Sequence, residues 1–425
     1  MSHPVEGYRL ERISSRAYEH PADRAATAAL KAVPHLDTVV AKVIEFGYER
    51  ALRRGVLGSA VRLGEDQLGE VWRAHADAYA TLDLEPVPDL YLTQWPIANA
   101  LTIGAGQPIV VVNSELVQVP EPQPSDALAG GEGVVIDVHA AGVSFPEVLQ
   151  SRGLYQLRPP LPFVPGSEVS GVVRSAPAGA RVQAGDRVAG FCGLGGFAET
   201  AVAPEFFTFA LAPQLDFAQG AGLILNYHTA YFALAMRGRV KQGETVLVHG
   251  AAGGVGTAGL QVARGLGAHT IAVVSDTAKA KVAEEAGAEH VVLLGDGWKD
   301  EVKQRSGGGV DVVLDPVGGE RFTDSLRALR ESGRLVVVGF TGGSIPEVRV
   351  NRLLLGNTEV IGAGWGAYVM TKPEVSREIG AAIAELIGKG VVRPVVGARF
   401  PFEQAAEALK LIDERGAVGK VVLEP

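Results

Sequence analysis

The chain has 425 residues, of which 47% are hydrophobic and 20% are charged, so it can bury a large core and is too long for one ordinary domain. Its formal net charge is −9, from 39 basic and 48 acidic residues, which argues against a nucleic-acid partner and against binding to an anionic membrane surface. Cys192 is the only cysteine, and this excludes a disulfide framework and a zinc site built from four cysteines.

The sequence shows no segment that predicts secretion or membrane insertion. The first residues, MSHPVEGYRLERIS, carry charges throughout and lack an apolar stretch. The longest uncharged run, 217–236, contains Asn226, His228 and Thr229, which the centre of a bilayer would penalise. We therefore expect a cytoplasmic protein with no membrane partner.

Glycine is distributed unevenly along the chain. Of the 54 glycines, residues 1–118 hold 8 and residues 119–425 hold 46. The stretch 119–133 is rich in Pro, Gly and Ser, which indicates a boundary between two segments. In the first segment, apolar and aromatic residues at helical spacing predict a helix over 68–82. Short strand-like runs follow at 90–92, 100–103 and 109–112.

The second segment shows two successive patterns. Runs such as VVIDVHAAGVSF, after Gly133, are apolar with glycine breaks, as in small β domains. From Thr245 onward, continuously apolar runs alternate with helical stretches, which predicts a parallel α/β sheet. The six strand-like runs are 246–250, 270–274, 290–294, 310–315, 334–340 and 360–365. Six such strands predict a doubly wound dinucleotide-binding fold, which a tail of two helices and two short strands follows.

A glycine-rich turn between the first of these strands and its helix carries the strongest chemical signal. The turn contains Ala252, Gly253, Gly254, Val255 and Gly256. Amide groups at a helix N-terminus bind the pyrophosphate of a dinucleotide, and glycine allows the backbone to approach the phosphates closely. This turn follows a strand and precedes a helix, and five further strands come after it. This context favours a cofactor-binding loop over a turn that binds no ligand.

The end of the next strand bears on the choice between the two nicotinamide cofactors. The position at which an acidic residue would bind the ribose of NAD falls on Val274. Ser275 follows, and Lys279 opens the next helix, which favours the 2′-phosphate of NADPH. Asp276 lies two places on and could still reach the ribose, and Lys279 could equally be a solvated helix charge.

Residues from about 119 to the C-terminus resemble the zinc-independent quinone oxidoreductase branch of the medium-chain dehydrogenase/reductase superfamily. The matching stretches are 140–173, 184–191, 195–199, 225–234, the glycine loop, 315–319, 333–340, 351–368 and 417–424. The resemblance implies an α/β protein with a GroES-like catalytic domain at 119–236 and 369–425 around a Rossmann domain at 237–368. It also implies hydride transfer from NADPH to a quinone or an α,β-unsaturated carbonyl, and a homodimer formed through about 358–365.

The resemblance also assigns roles to particular residues. Zinc-dependent relatives carry a Cys and then a Gly-His-Glu where this chain has Ser144 and 166–168, so no metal is expected. Tyr155 would lie over the nicotinamide and donate to the substrate carbonyl, unless it is a hydrogen-bonded core tyrosine. Thr229 would face the nicotinamide. Two further residues, Gly339 and Phe340, would contact the nicotinamide through their backbone.

Four further residues have expected roles that are structural or that the sequence leaves open. Ser144 occupies a position that is often Asn in relatives. His228 and His249 are interpreted as packing residues, because neither has an acid nearby in sequence. Asp315, at the end of a strand, is as consistent with a turn cap as with a ligand.

Residues 1–118 resemble the N-terminal part of an M48-type zinc metallopeptidase. That family continues into a His-Glu-x-x-His helix, which none of the nine histidines here forms, so we expect no proteolysis. This segment replaces the opening β-hairpin of the reductases, and we hypothesise that Ile109–Val112 or Leu116–Val119 pairs at the vacated edge. The main alternatives are a cofactor-binding or interaction protein inactivated by the fusion and, more remotely, a metallopeptidase remnant.

Overall fold

The structure is a computed structural model. It describes residues 61–64, 69–81, 86–93, 100–103, 109–113, 133–159 and 163–425. These residues belong to two compact units, Met1–Pro122 and Gln123–Pro425. No helix in the described ranges is both long enough and apolar enough to cross a membrane.

The first unit contains one described helix and a four-stranded sheet. The helix α1 spans Gly69–Thr81, which confirms the helix predicted there. The strands, in the spatial order β1-β2-β4-β3, are β1 (Val61–Arg62), β2 (Asp89–Thr93), β3 (Ala100–Ile103) and β4 (Ile109–Asn113).

One of the two hypothesised edge strands is placed differently from our expectation. Ile109–Val112 was expected to pair at the edge of the catalytic β domain, and this is wrong. In β4 these residues pair with β2 on one side and with β3 on the other, so both edges of the strand are already occupied. The other candidate, Leu116–Val119, lies outside the described residues.

The second unit opens with a β domain built on a seven-stranded sheet in the order β16-β17-β5-β6-β7-β9, with β8 paired to β5. Its strands are β5 (Gly133–Val143), β6 (Glu168–Ser175), β7 (Arg187–Phe191), β8 (Thr200–Pro204), β9 (Thr208–Ala210), β16 (Val396–Pro401) and β17 (Lys420–Glu424). The helix α2 (Phe145–Ser151) follows β5, and α12 (Ala405–Asp413) precedes β17. The chain therefore leaves this domain and returns to it.

The two domains are joined by a mostly helical stretch, in which a turn at 221–223 separates the first helix from the rest. It consists of α3 (Phe217–Gly220), a π-helical turn (Ile224–His228), α4 (Thr229–Tyr231) and a second π-helical turn (Phe232–Arg237). π-Turns insert an extra residue into a helix and occur often at functional sites. Here they flank Thr229 on both sides.

The Rossmann domain is a six-stranded parallel sheet in the order β12-β11-β10-β13-β14-β15, which confirms the predicted doubly wound fold. Its strands are β10 (Thr245–His249), β11 (His269–Val274), β12 (His290–Leu293), β13 (Val310–Asp315), β14 (Leu329–Val337) and β15 (Glu359–Gly362). Its helices are α5 (Gly254–Gly265), α6 (Thr277–Glu285), α7 (Trp298–Arg305), α8 (Phe322–Ala328), α9 (Asn351–Gly356), α10 (Trp365–Thr371) and α11 (Pro373–Gly388). The strand order reverses between β10 and β13, where such folds bind ligands.

The strand β14 ends earlier than the sequence predicts. We expected it to reach residue 340, but it stops at Val337. After it the chain turns back, and the amides of Thr341 and Gly342 donate to the Pro316 and Val317 carbonyl groups at 3.1 and 2.7 Å. Gly339 and Phe340 therefore lie in a loop rather than in the strand.

Candidate active site

The glycine loop lies between β10 and α5, where the strand order reverses. Gly250 has φ +57°, and a Cβ at Gly256 would collide with the Gly250 carbonyl oxygen. At Gly254 an added Cβ would lie 2.5 Å from the Asn226 side-chain nitrogen. The turn therefore needs glycine at these positions, and the first amides of α5 have no acceptor within the described part of the chain. Such a turn presents free amides to an anion.

Three side chains beyond the end of β11 form a closed polar group. Asp276 caps α6 by accepting from the Lys279 amide at 2.9 Å, and it also accepts from the Ser275 hydroxyl at 2.8 Å. These hydrogen bonds lower the pKa of Asp276. The Lys279 ammonium donates to Ser275 Oγ at 3.1 Å. Val274, where an acidic residue was the alternative, is the buried last residue of β11.

Arg415, which sequence reasoning did not single out, joins this group from the C-terminal tail. Lys279 Nζ donates to the Arg415 carbonyl oxygen at 3.2 Å, and the Arg415 guanidinium donates to the Gly342 carbonyl at 3.1 Å. Burial, opposed by Asp315 and reinforced by the positive charge of Arg415, lowers the pKa of Arg321. Lys279, Arg415 and Arg321 thus form a group of three cations, which suits an anionic partner such as a phosphate.

A buried carboxylate in the β domain organises the start of α2. Glu147 accepts from the Ser144 amide at 2.9 Å, from the Ser167 amide at 3.0 Å and from the Ser167 hydroxyl. Burial raises the pKa of Glu147, whereas Lys420 and the Ser167 hydroxyl oppose this shift. The carboxylate holds Ser144 and Ser167 close together although they lie on different elements.

A second carboxylate nearby pairs with a buried cation. The Lys420 ammonium donates to Glu168 Oε1 and to Ser144 Oγ, the latter at 2.5 Å. Glu168 also accepts from the Leu225 amide at 2.8 Å. The preceding residue, Gly419, donates its amide to the Ala252 carbonyl of the glycine loop at 2.6 Å. Gly419 and Lys420 together therefore connect the β domain to the glycine loop.

The Tyr155 side chain lies in the loop that follows α2 and is half-buried. Its hydroxyl has no hydrogen-bond partner among the residues that the structure describes, unlike that of a core tyrosine. Burial, and after it the Glu147 carboxylate, raises the pKa of Tyr155 above its ordinary value of 10.0. The hydroxyl consequently stays protonated and can donate a hydrogen bond.

Thr229, Gly339 and Phe340 lie on two further segments of the same unit. Thr229 is buried between the two π-turns, and within the described ranges its hydroxyl has no partner. Phe340 is partly exposed, and a Cβ at Gly318 would lie 2.9 Å from its ring. The site residues expected from the sequence thus lie in the glycine loop, after β11, on either side of α2, in α4 and in the loop after β14, whereas the sequence analysis did not single out Arg415 or Lys420.

The two buried histidines differ in their surroundings. Burial lowers the pKa of His228 to about 3, and its ring packs edge-on against Phe209 and Trp365. His249 has a hydroxyl partner, Ser325, at 2.8 Å, and burial lowers its pKa to about 4, although Asp315 opposes the shift. The acid that was not visible in the local sequence is therefore supplied by β13.

Asp315 caps the turn after β13. One of its oxygens accepts from the amides of Val317 and Gly318, both at 2.9 Å. This is the turn-cap role that the sequence left open. Its second oxygen is buried and has no hydrogen-bond partner in the parts of the chain that are described.

Known proteins match both domains of the second unit. Residues 130–213 match the family model of the alcohol dehydrogenase GroES-like domain, and residues 254–391 match that of the zinc-binding dehydrogenases. A quinone oxidoreductase of Rattus norvegicus is 35% identical over 323 residues, which cover 75% of this chain and 94% of that protein. The chain belongs to the quinone oxidoreductase family of the medium-chain dehydrogenase/reductase superfamily.

Solved structures of similar proteins share this fold. A probable oxidoreductase from Mycobacterium abscessus is 45% identical with a TM-score of 0.64, covering 70% of this chain and 91% of that one. The quinone oxidoreductase of Thermus thermophilus, whose structures include a complex with NADPH, is 32% identical with a TM-score of 0.62. The match covers 75% of this chain and 97% of that one. The M48 resemblance of residues 1–118 has no counterpart in these matches.

The matched family description includes zinc, and the residues at the corresponding positions test whether a zinc ion fits. The chain carries Ser144, Ser167 and Glu168 there, and the Lys420 ammonium donates hydrogen bonds to Ser144 and Glu168. A resident cation on these oxygens opposes a second one. Among the described residues, no three His, Cys, Asp or Glu side chains are grouped to hold a metal ion. The donor set does not fit zinc.

The one thiol of the chain lies close to the Glu147 and Glu168 carboxylates. The Cys192 Sγ contacts the Gly166 and Ser167 carbonyl oxygens at 3.5 and 3.3 Å. Burial, with smaller contributions from Glu147 and Glu168, raises the pKa of Cys192 to about 12. The thiol packs as a small polar side chain in the β domain, although the residue as a whole keeps some exposure.

We expect Cys192 to resist alkylation in the native protein. At pH 8 a thiol with a pKa near 12 is almost entirely protonated, and only the thiolate reacts. Iodoacetamide labelling, followed by mass spectrometry, should be at least about a hundredfold slower than in protein unfolded in urea. Because the chain has one cysteine, the unfolded sample is an internal control; equal rates would contradict the burial of the thiol.

Proposed function

We propose that this protein is an NADPH-dependent reductase that transfers a hydride to a quinone or an α,β-unsaturated carbonyl without zinc. The observation that carries the proposal is the pairing of a glycine-lined dinucleotide loop with a group of hydrogen-bond donors in the adjoining β domain. Bound NADPH supplies the hydride and its electron pair to an electrophilic carbon of the acceptor, and a proton from solvent completes the reduced product.

The residues around the loop fit this cofactor. The free amides of Gly254, Val255 and Gly256, together with the turn at Ala252 and Gly253, suit the pyrophosphate. Lys279 and Arg415, with Ser275 between Lys279 and Asp276, suit the 2′-phosphate that distinguishes NADPH from NADH. Gly339 and Phe340, in the loop after β14, are assigned to the nicotinamide end.

Three hydroxyl groups are the candidate donors to the acceptor oxygen. Negative charge develops on that oxygen as the hydride arrives, and a positioned O–H group stabilises it. Ser144, Tyr155 and Thr229 each have a hydroxyl that is not used as a donor within the described residues. The zinc-free character of the proposal is supported by the Lys420 ammonium, which places a positive charge among the residues that would bind the metal in relatives.

We further propose the domain limits 119–236 and 369–425 for the catalytic domain and 237–368 for the Rossmann domain. Residues 1–118 are assigned to a peptidase-like extension without catalytic function. A single cysteine and dependence on NADPH suit the cytoplasm.

The proposal is tested by the oxidation of NADPH and NADH with 1,4-benzoquinone and with an enone. We expect NADPH oxidation with at least one acceptor, a slower rate with NADH, and the same rate after exhaustive dialysis against a chelator. The decrease in absorbance of the reduced cofactor measures each rate. Binding of NADPH without oxidation by any acceptor would favour a cofactor-binding protein instead, and loss of rate upon chelation would reject the zinc-free mechanism.

The cations beside β11 provide a prediction on cofactor choice. Lys279→Ala and Arg415→Ala should each raise the KM for NADPH about tenfold or more, because a hydrogen bond to a charged group contributes about 1.5–3 kcal/mol. The KM for NADH should change by less than about twofold. Lys281→Ala, an exposed lysine of the same helix, is the matched control. Equal losses for both cofactors would show that these side chains do not bind the 2′-phosphate.

We propose that two copies of the chain pair along β15. This strand is the last of the six-stranded sheet, and its outer edge has no partner among the described strands. Beside it, Leu354 and Leu355 of α9 are 76% and 81% exposed, and Val350 and Met370 are also exposed. An unpaired edge next to an apolar patch is the usual signature of an interface.

Light scattering at micromolar concentration tests this pairing. We expect the wild-type protein to have the mass of a dimer, and Leu354→Glu with Leu355→Glu to shift it toward a monomer, since charge in the interface is costly. Leu293→Glu, at the opposite edge of the sheet, is a control that should remain a dimer. A monomeric wild-type protein would reject the proposal.

A further inference from the structure

An ammonium group with almost no solvent contact lies directly beside the hydroxyl of Ser144. Lys420 is 3% exposed and Glu168 1% exposed. Lys420 Nζ donates to Ser144 Oγ at 2.5 Å and to Glu168 Oε1, and in the described part of the chain it has no third acceptor. Ser144 is held through its backbone as well as its side chain, because its amide donates to the Glu147 carboxylate at 2.9 Å.

These contacts determine which way the Ser144 hydroxyl can act. Its oxygen accepts a hydrogen bond from the ammonium, so its own hydrogen points to another partner. Ser144 is half-buried and therefore more exposed than Lys420 and Glu168, and among the described residues no acceptor takes its hydroxyl hydrogen. A hydroxyl that accepts from a cation is also a stronger donor, because successive hydrogen bonds polarise one another.

The Lys420 side chain runs between two glycines. A Cβ at Gly142 would lie 2.2 Å from the Ala221 carbonyl oxygen, 2.6 Å from Lys420 Cε and 2.8 Å from Glu168 Cγ. A Cβ at Gly222 would lie 3.0 Å from Lys420 Cγ. Neither glycine has a positive φ. Glycine is therefore needed at 142 and 222 because neighbouring atoms leave little room for a Cβ, and not because of the backbone conformation.

The backbone of Lys420 is fixed to the cofactor loop. Gly419 donates to the Ala252 carbonyl at 2.6 Å and has φ +56°, and its Cβ would collide with the Val395 carbonyl oxygen. The Lys420 amide in turn donates to the Val395 carbonyl at 2.7 Å. The Lys420 backbone therefore lies next to a residue that is hydrogen-bonded to the glycine loop, and its ammonium group reaches Ser144.

We infer that Lys420 is a positioning residue that aims the Ser144 hydroxyl at the oxygen of the bound acceptor and makes Ser144 the principal donor to that oxygen. The inference rests on the proposed reductase function. It assigns to a protein-borne cation the place that a metal ion holds in zinc-dependent relatives, although the cation acts through a hydroxyl rather than by binding the substrate.

The test compares three variants with the wild-type protein. Ser144→Ala removes the donor, and the double variant Lys420→Met with Glu168→Gln removes both buried charges so that neither is left unpaired. The third variant combines all three substitutions. Lys410→Met, at an exposed lysine of α12, is the control. The measurements are kcat with 1,4-benzoquinone, the NADPH dissociation constant by fluorescence, and the binding of 4-nitrophenol, an analogue of the developing oxyanion, by its absorbance shift.

We expect Ser144→Ala to lower kcat at least about tenfold and to weaken 4-nitrophenol binding by a similar factor, because a donor to the oxyanion is lost. The NADPH dissociation constant should change by less than about twofold. The double variant should show the same pattern. The triple variant should be no worse than either, because residues that act in series are not additive.

Two results would overturn the inference. One is a Ser144→Ala protein that binds 4-nitrophenol and turns over like the wild type. The other is a triple variant whose losses multiply, which would show that Lys420 does not act through Ser144. If no acceptor oxidises NADPH in the wild-type protein, the proposed function fails, while 4-nitrophenol binding still decides the role of Lys420.

Discussion

The buried ion pair between Lys420 and Glu168 is the interaction on which the arrangement of the site depends. Removing two charges from water is costly unless other polar groups replace the solvent. Here the Leu225 amide supplies a second hydrogen bond to Glu168, and Ser144 supplies a second acceptor to Lys420. The pair thus fixes the end of β5, the start of β6, the first π-turn and the start of β17 relative to one another.

This connection also relates the two domains of the second unit. Gly419 contacts the glycine loop through its amide, and Lys420, the next residue, contacts the hydroxyl proposed to polarise the acceptor. In the proposed reaction, the cofactor loop and the proposed donor to the acceptor are therefore both held by two adjacent residues, Gly419 and Lys420. The glycine loop and the Ser144 hydroxyl are thus connected through one backbone hydrogen bond and one lysine side chain.

Local patterns were sufficient to predict the Rossmann domain. The glycine loop is specified by a strand, a tight turn and a helix within a few residues, and the alternation of apolar strands with helices indicates the parallel sheet that is observed. Lys420 and Arg415 could not be predicted in this way, because nothing in their local sequence separates them from solvated charges. For β4 the composition correctly predicted a strand but not its neighbours. Strand propensity does not specify a pairing partner, and β4 pairs with β2 and β3 instead of the catalytic β domain.

The fit between Gly222 and the stem of Lys420 has an evolutionary consequence. A methyl group at 222 would press on Lys420 Cγ, whereas its next neighbour outside the lysine, the Gln219 carbonyl oxygen, lies at an ordinary 3.6 Å. Close-packed interiors do not tolerate such overlap. Shortening the side chain at 420 would remove only the Cγ contact, because the Lys420 Cβ would also lie 3.2 Å from that methyl group and every residue except glycine carries a Cβ. Glycine at 222 is therefore expected to persist in descendants of this protein even where a shorter side chain replaces the lysine at 420.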